Sequence, residues 1–207
     1  MRLPALDGWD NRPGTPPGGG SSPLKPASPA HPFSSHDWPP WGASNRWREI
    51  NESLLHLVKR NPDGLAHAAA TALRLQEALA ALFSVMDSLC HITCRHCPDI
   101  CCHNATPFLD FKDLLFIHLT GHHPPPFQPI DRNHRHCRFL SHHGCRLQRM
   151  IRPWMCTWYL CPTQKRRLAT LPLVSQKSIS EMTAAIKTLR RRMETEFICG
   201  VAPQCLP

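Results

Sequence analysis

Nine of the chain's eleven cysteines fall between Cys90 and Cys161, and eight of them form two spaced groups. The first reads Cys94-Arg-His-Cys97-Pro-Asp-Ile-Cys101-Cys102, and the second is Cys137, Cys145, Cys156 and Cys161. A buried cysteine packs merely as a small apolar side chain, so four sulfurs in nine residues exceed what a core needs. Deprotonated and converging, such sulfurs are soft ligands for zinc or for an iron–sulfur cluster. These eight residues are the candidate metal ligands.

Spacing says more about the first group than the second. In Cys94-x-x-Cys97 a tight turn lets two sulfurs bind one ion while backbone amides donate to sulfur. Cys101 lies close enough in sequence to complete that site, and Cys102, its neighbour, points elsewhere. The second group has seven, ten and four residues between successive members, so only a tertiary fold brings them together. Two four-sulfur sites, one cluster with spare thiols and one polynuclear site all remain open. His91, His96, His103, His136, His142 and His143 lie near cysteines, but with 14 histidines in the chain such proximity is ordinary. We read most as surface groups. Cys90 stands four residues before Cys94 on a continuing helix, as a packed thiol or an extra ligand.

Compartment decides between metals and disulfides. Leu3 and Leu6 are isolated by polar and turn residues, so the first residues do not resemble a signal peptide. No stretch reaches the ~20 uncharged apolar residues that span a bilayer, and Leu65 to Leu89 is broken by Arg74, Glu77 and Asp87. The expectation is a cytoplasmic protein, not a membrane one, whose thiols stay reduced. The formal charge is +9, and two four-thiolate sites would lower it to roughly +5. Lys165-Arg166-Arg167 and Arg190-Arg191-Arg192 read as solvated helix faces ahead of phosphate contacts.

The pattern along the chain predicts a mainly α fold. Residues 1–43 form a Pro/Gly-rich leader expected to be disordered; a single helical domain follows over 44–198, with the metal-binding region at 90–162 and a tail from 199 to 207. In the leader, Trp38-Pro-Pro-Trp41 is expected to dock on the protein's own surface. Trp47, Ile50, Leu54, Leu57 and Val58 recur at helical spacing, and Asn61-Pro-Asp-Gly64 is a turn. A second helix from about Leu65 to Leu89 carries Ala68, Ala72, Leu75, Leu79, Leu82, Met86 and Leu89 on one stripe, predicting an antiparallel helical hairpin with the first. Asp110 caps a short helix ending near Gly121, and His122 to Pro129 is an irregular connection. Ser178-x-x-Glu181 predicts the start of a last helix with Ile179, Met182, Ile186, Leu189 and Met193 inward.

Taken together, Cys94-x-x-Cys97 with Cys101-Cys102, Cys137-x-Phe139-Leu140, Gly144-Cys145 and Arg152-Pro153-x-x-Cys156-x-x-Tyr159-x-Cys161 resemble a bacterial zinc- or iron-chelating cysteine-cluster family. Three residues precede the paired cysteines here, where many members have two. The resemblance implies metal chelation, with Arg152 and Tyr159 orienting or covering the site. It leaves open whether any reaction is catalysed, and which partners bind.

Three further functions compete with structural metal. The first is iron–sulfur redox chemistry. The cluster is also similar to that of flagellin lysine-N-methylases, which use S-adenosylmethionine, but no glycine-rich strand-to-helix turn suits that cofactor. Nucleic-acid binding ranks below redox chemistry, because the spacings do not match a finger with a recognition helix.

Overall fold

The computed structural model describes residues 39–94, 103, 105–130, 136–142, 144–171 and 173–202. Most of the expected leader, with Trp38, lies outside them, as do His96, Cys97, Cys101, Cys102, His143 and Cys205. Helices dominate: α1 (Ser44–Arg60), α2 (Ala66–Thr93), α3 (Phe111–Leu119), α4 (Trp154–Trp158), α5 (Pro162–Ala169) and α6 (Leu173–Val201). A 3-10 turn at Arg149–Ile151 precedes α4. Two short strands, β1 (Leu140–Ser141) and β2 (Gly144–Cys145), pair antiparallel with Leu140 opposite Cys145. The mainly α class is therefore correct.

The core is the α2 stripe read from sequence. Ala68, Ala72, Leu75, Leu79, Leu82, Met86 and Leu89 are all buried, each large one contributing about 1.5–3 kcal/mol of transfer free energy. What covers this stripe differs from expectation. The main antiparallel partner of α2 is α6, whereas α1 packs chiefly on α3. Ile179, Ile186, Met193 and Phe197 of α6 are buried against α2 and its neighbours, with Met182 and Leu189 partly so. Leu57 of the proposed α1 stripe is exposed instead.

Two glycines let α2 and α6 meet at one end. A Cβ on Gly200 would collide with the carbonyl oxygen of Gly64, so the backbones touch where side chains would hold them apart. Asn61 Nδ2 donates to Gly200 O at 2.7 Å, and Thr71 Oγ1 donates to Glu196 Oε2 at 2.6 Å. Among the described residues α2 is the one helix long and apolar enough, by length and composition, to cross a membrane. Its apolar residues pack against α6, α5 and α3.

Helix ends follow local chemistry in two places and defy it in one. Asp110 accepts from Asp113 N, Asp113 accepts from Asp110 N, and the two close a capping box at the start of α3. At its end Gly121 takes φ +73, His122 N bonds Ile117 O, and Gly121 N bonds His118 O. This is the paired-bond stop that a left-handed glycine permits. Helix α6, by contrast, begins at Leu173, so Ser178-x-x-Glu181 lies inside it and is not a cap. That helix also runs on to Val201, past the expected domain end at 198.

The Pro-rich segment after α3 is irregular but tightly bound. Trp47 Nε1 donates to Pro125 O at 2.9 Å, and fully buried Gln128 bonds the backbone of Leu109 on both sides and Pro40 O. Trp41 packs against the core, as the docking expectation required. Asn51 Nδ2 donates to Trp47 O, which turns its Oδ1 toward His118 Nε2 at 2.9 Å. The imidazole therefore donates from Nε2. Burial lowers His118 below its ordinary value of 6.5. Because the unfolded chain takes the proton more readily, this site's contribution holds above the unfolded value and is lost as pH falls through the depressed folded one. Urea midpoints measured between pH ~5 and ~7 should fall on the acid side. His118→Gln, which keeps a donor toward Asn51, should flatten that limb; an unchanged limb would remove His118 as its cause.

Candidate metal centre

Five of the eight predicted ligands lie in described positions. Cys94 is the C-cap of α2 and is exposed; Cys137 precedes β1; Cys145 closes β2; Cys156 sits within α4; Cys161 is the N-cap of α5. Cys97, Cys101 and Cys102 fall outside the described residues. Cys90 and the five described candidate ligands are in no disulfide. His91, His103, His136 and His142 are exposed, as expected of surface histidines.

The hairpin explains how part of the second group approaches itself. Gly144 takes φ +98 after β1, a left-handed conformation that a Cβ would strain. It returns the chain so that Cys145 lies opposite Leu140, three residues after Cys137. Phe139 is buried and stacks on Phe127 at 5.0 Å, and the Arg138 guanidinium lies over the Phe127 ring at 3.7 Å. Then Pro153 starts α4 and carries Cys156 toward the pair.

Electrostatics register this approach. Burial raises the Cys137 thiol, and Cys145 adds to the shift against the backbone amides of Phe139 and Leu140. Cys156 is pushed up to about 12 by surrounding protein, then by Cys137, Cys145 and Asp113, with Arg152 opposing. Solvent still reaches part of that residue. The raised values disfavour thiolate at Cys137 and Cys156, and a nearby cation would oppose that shift. Arg152 therefore acts electrostatically on Cys156, while its Nε donates to Leu147 O at 3.0 Å. Tyr159 lies at the surface.

Cys161 falls in with different neighbours. Its Sγ accepts from Gln164 N at 3.4 Å, and Gln164 Nε2 reaches Cys90 Sγ at 3.3 Å and Cys94 Sγ at 3.6 Å. The linear grouping is thus split: Cys137, Cys145 and Cys156 form one neighbourhood, while Cys161 joins the end of α2. Among the described residues, no three His, Cys, Asp or Glu side chains stand close enough to hold a metal ion as they are placed.

No family model, curated protein or solved structure matches the chain.

Sequence reasoning missed two sites of polar chemistry. Arg190, read as one of a solvated triplet, is buried; its Nη1 donates to Asp113 Oδ1 at 2.6 Å and its Nη2 to both Asp110 oxygens at 2.8 and 2.9 Å. Trp154 N also donates to Asp113 Oδ1, at 3.2 Å, tying α4 to α3 and α6. Burial pushes Asp113 up to about 6 against the pull of Arg190. At neutral pH it is ionised and accepts from three N–H donors. Only Arg191 and Arg192 of the triplet are exposed. The second miss is Gln164, for which a signal existed. Cys161-Pro162-x-Gln164 is a capping box with sulfur in place of a hydroxyl and proline at the first helical position.

Proposed function

We propose that this chain is a metal-binding cysteine-cluster protein in which zinc or an iron–sulfur centre staples the segment between α2 and α5. The reading rests on one observation above others: Cys137, Cys145 and Cys156 lie within electrostatic reach although seven and ten residues intervene. Sequence spacing and the resemblance to the zinc- or iron-chelating family support the same reading. The raised thiols fit it too, because a cation would favour their ionised form and metal binding would release their protons. As proposed, the metal is at least structural, and the centre calls for a reducing compartment such as the cytoplasm, where thiols stay unpaired.

The test is direct. Protein purified without oxygen should carry zinc, or iron with sulfide, in a fixed ratio to chain. Iron with sulfide and a visible absorbance that bleaches on reduction would add electron transfer to the proposal. Colourless, zinc-loaded protein would end the redox branch. Preparations devoid of zinc, iron and sulfide would overturn the proposal.

A further inference from the structure

The chain's excess positive charge is confined to one stretch. Residues 132–180 carry ten Lys and Arg and no Asp or Glu, whereas the rest of the chain carries 14 against 15. Formally the stretch is +10 and everything else is −1. A merely solvated surface intersperses the two signs, and this one separates them. Even four thiolates on a divalent ion there, about −2 in all, would leave the stretch strongly positive.

The fold puts much of this charge on the surface without neutralising it. On α5, Gln164 is buried and Leu168 packs against the core, so Lys165, Arg166 and Arg167 point outward and are exposed. Arg166 Nη2 donates to Thr163 Oγ1 at 3.1 Å and Arg167 Nη1 to Thr170 Oγ1 at 3.3 Å. Those hydroxyls hold the guanidinium groups and cancel none of their charge. Arg146 is exposed as well, with its Nη2 on Arg138 O. Among the described residues these four cations have no carboxylate partner; Arg149 pairs with Asp87 and Lys177 with Glu181. Aromatic rings lie among them. Tyr159, 38% exposed, and half-buried Trp158 stand where α4 leads into α5, and Lys187 Nζ of α6 lies 5.6 Å from the Trp158 ring centre.

We propose that α5 and the link before it form a surface for single-stranded nucleic acid, on which Lys165, Arg166 and Arg167 bind phosphates and Tyr159 stacks on a base. This goes beyond the metal function and does not depend on it. Cations supply affinity for the phosphate chain, and an exposed ring accepts any base because every base has a flat face. No recognition helix is required, since phosphate contacts carry no sequence information. A lipid surface fits less well: it needs a helix with a free apolar face, and the inward face of α5 is already occupied by the core.

The probes are short fluorescent strands of uridine or of thymidine, titrated with the full reduced chain between about 50 and 200 mM salt. Affinity should fall linearly on logarithmic axes, by about 0.7 in slope for each phosphate neutralised. Replacing Lys165, Arg166 and Arg167 together by Gln should reduce that slope by about 2. Tyr159→Leu, which keeps apolar bulk, should weaken binding about tenfold and leave the slope unchanged. The same loss of charge on α1, at Arg48, Lys59 and Arg60, should have a much smaller effect. Tighter binding of uridine than thymidine strands would name RNA as the ligand, and equal binding would assign the contacts to phosphate and base alone. Failure to bind either strand at the lowest salt would overturn the proposal, as would equal losses from the α1 and α5 variants. Polyglutamate held as tightly as the oligonucleotides would transfer the surface to an acidic protein, and phosphatidylserine vesicles held as tightly would transfer it to a membrane; either result also overturns it.

Discussion

Arg190→Ala is expected to destabilise the fold by about 3–5 kcal/mol, because it leaves a buried carboxylate without its partner. Asp113 loses its shortest contact, at 2.6 Å, and Asp110 loses two. The network joins three elements through Trp154 N and the α3 capping box, so the damage reaches the start of α3 and the seat of α4. A second variant separates the charge from the bulk. Arg190→Met with Asp113→Asn removes the unpaired ion and should recover part of the loss, since an apolar or neutral replacement avoids the desolvation cost. Urea midpoints of the wild type, the single variants and the double variant measure the coupling. Additive losses would show that the pair acts as two independent contacts.

Metal removal should have the other large effect, and it should be local. If the proposed centre is bound, stripping it removes on the order of 10 kcal/mol of binding free energy per tight zinc site. The core of α2, α3 and α6 is built from apolar side chains, none of them a candidate ligand, so those helices should survive. The expected result after chelation is near-native far-ultraviolet dichroism with a changed near-ultraviolet signal from Trp154 and Trp158, which flank Cys156. Limited proteolysis should then cut between Cys137 and Cys161 first, sparing α3. Identical melting and cleavage before and after verified removal would mean that the metal contributes nothing to folding.

The parts legible in sequence were those set by near neighbours. Asp110 and Gly121 marked the two ends of α3 because caps are made within a few residues. The inward faces of α2 and α6 followed from periodicity, which needs only one helix at a time. Pairing was harder. Consecutive helices usually lie together, and that rule chose α1 for α2. The actual choice of α6 depends on Gly64 facing Gly200 across more than a hundred residues. Ser178-x-x-Glu181 misled for a related reason, since residues of a capping box look the same inside a helix, where Glu181 pairs with Lys177 at 3.7 Å.

The candidate site shows the same division. Cysteine density singled out a segment of the chain, but linear order could not show that Cys161 lies beside Gln164 with Cys90 and Cys94. Sulfurs far apart in sequence meet only through the path of the β hairpin, α4 and α5. Arg190 was hidden because its partners lie 77 and 80 residues away, and nothing beside it in the chain distinguishes it from Arg191.

The pairing of α2 with α6 sets a timetable for the nascent chain. About 80 residues separate Thr93 from Leu173, so at roughly 5–20 residues per second the ribosome needs several seconds to begin the covering helix. Throughout that interval the apolar stripe of α2 lacks the helix that contributes most of its cover.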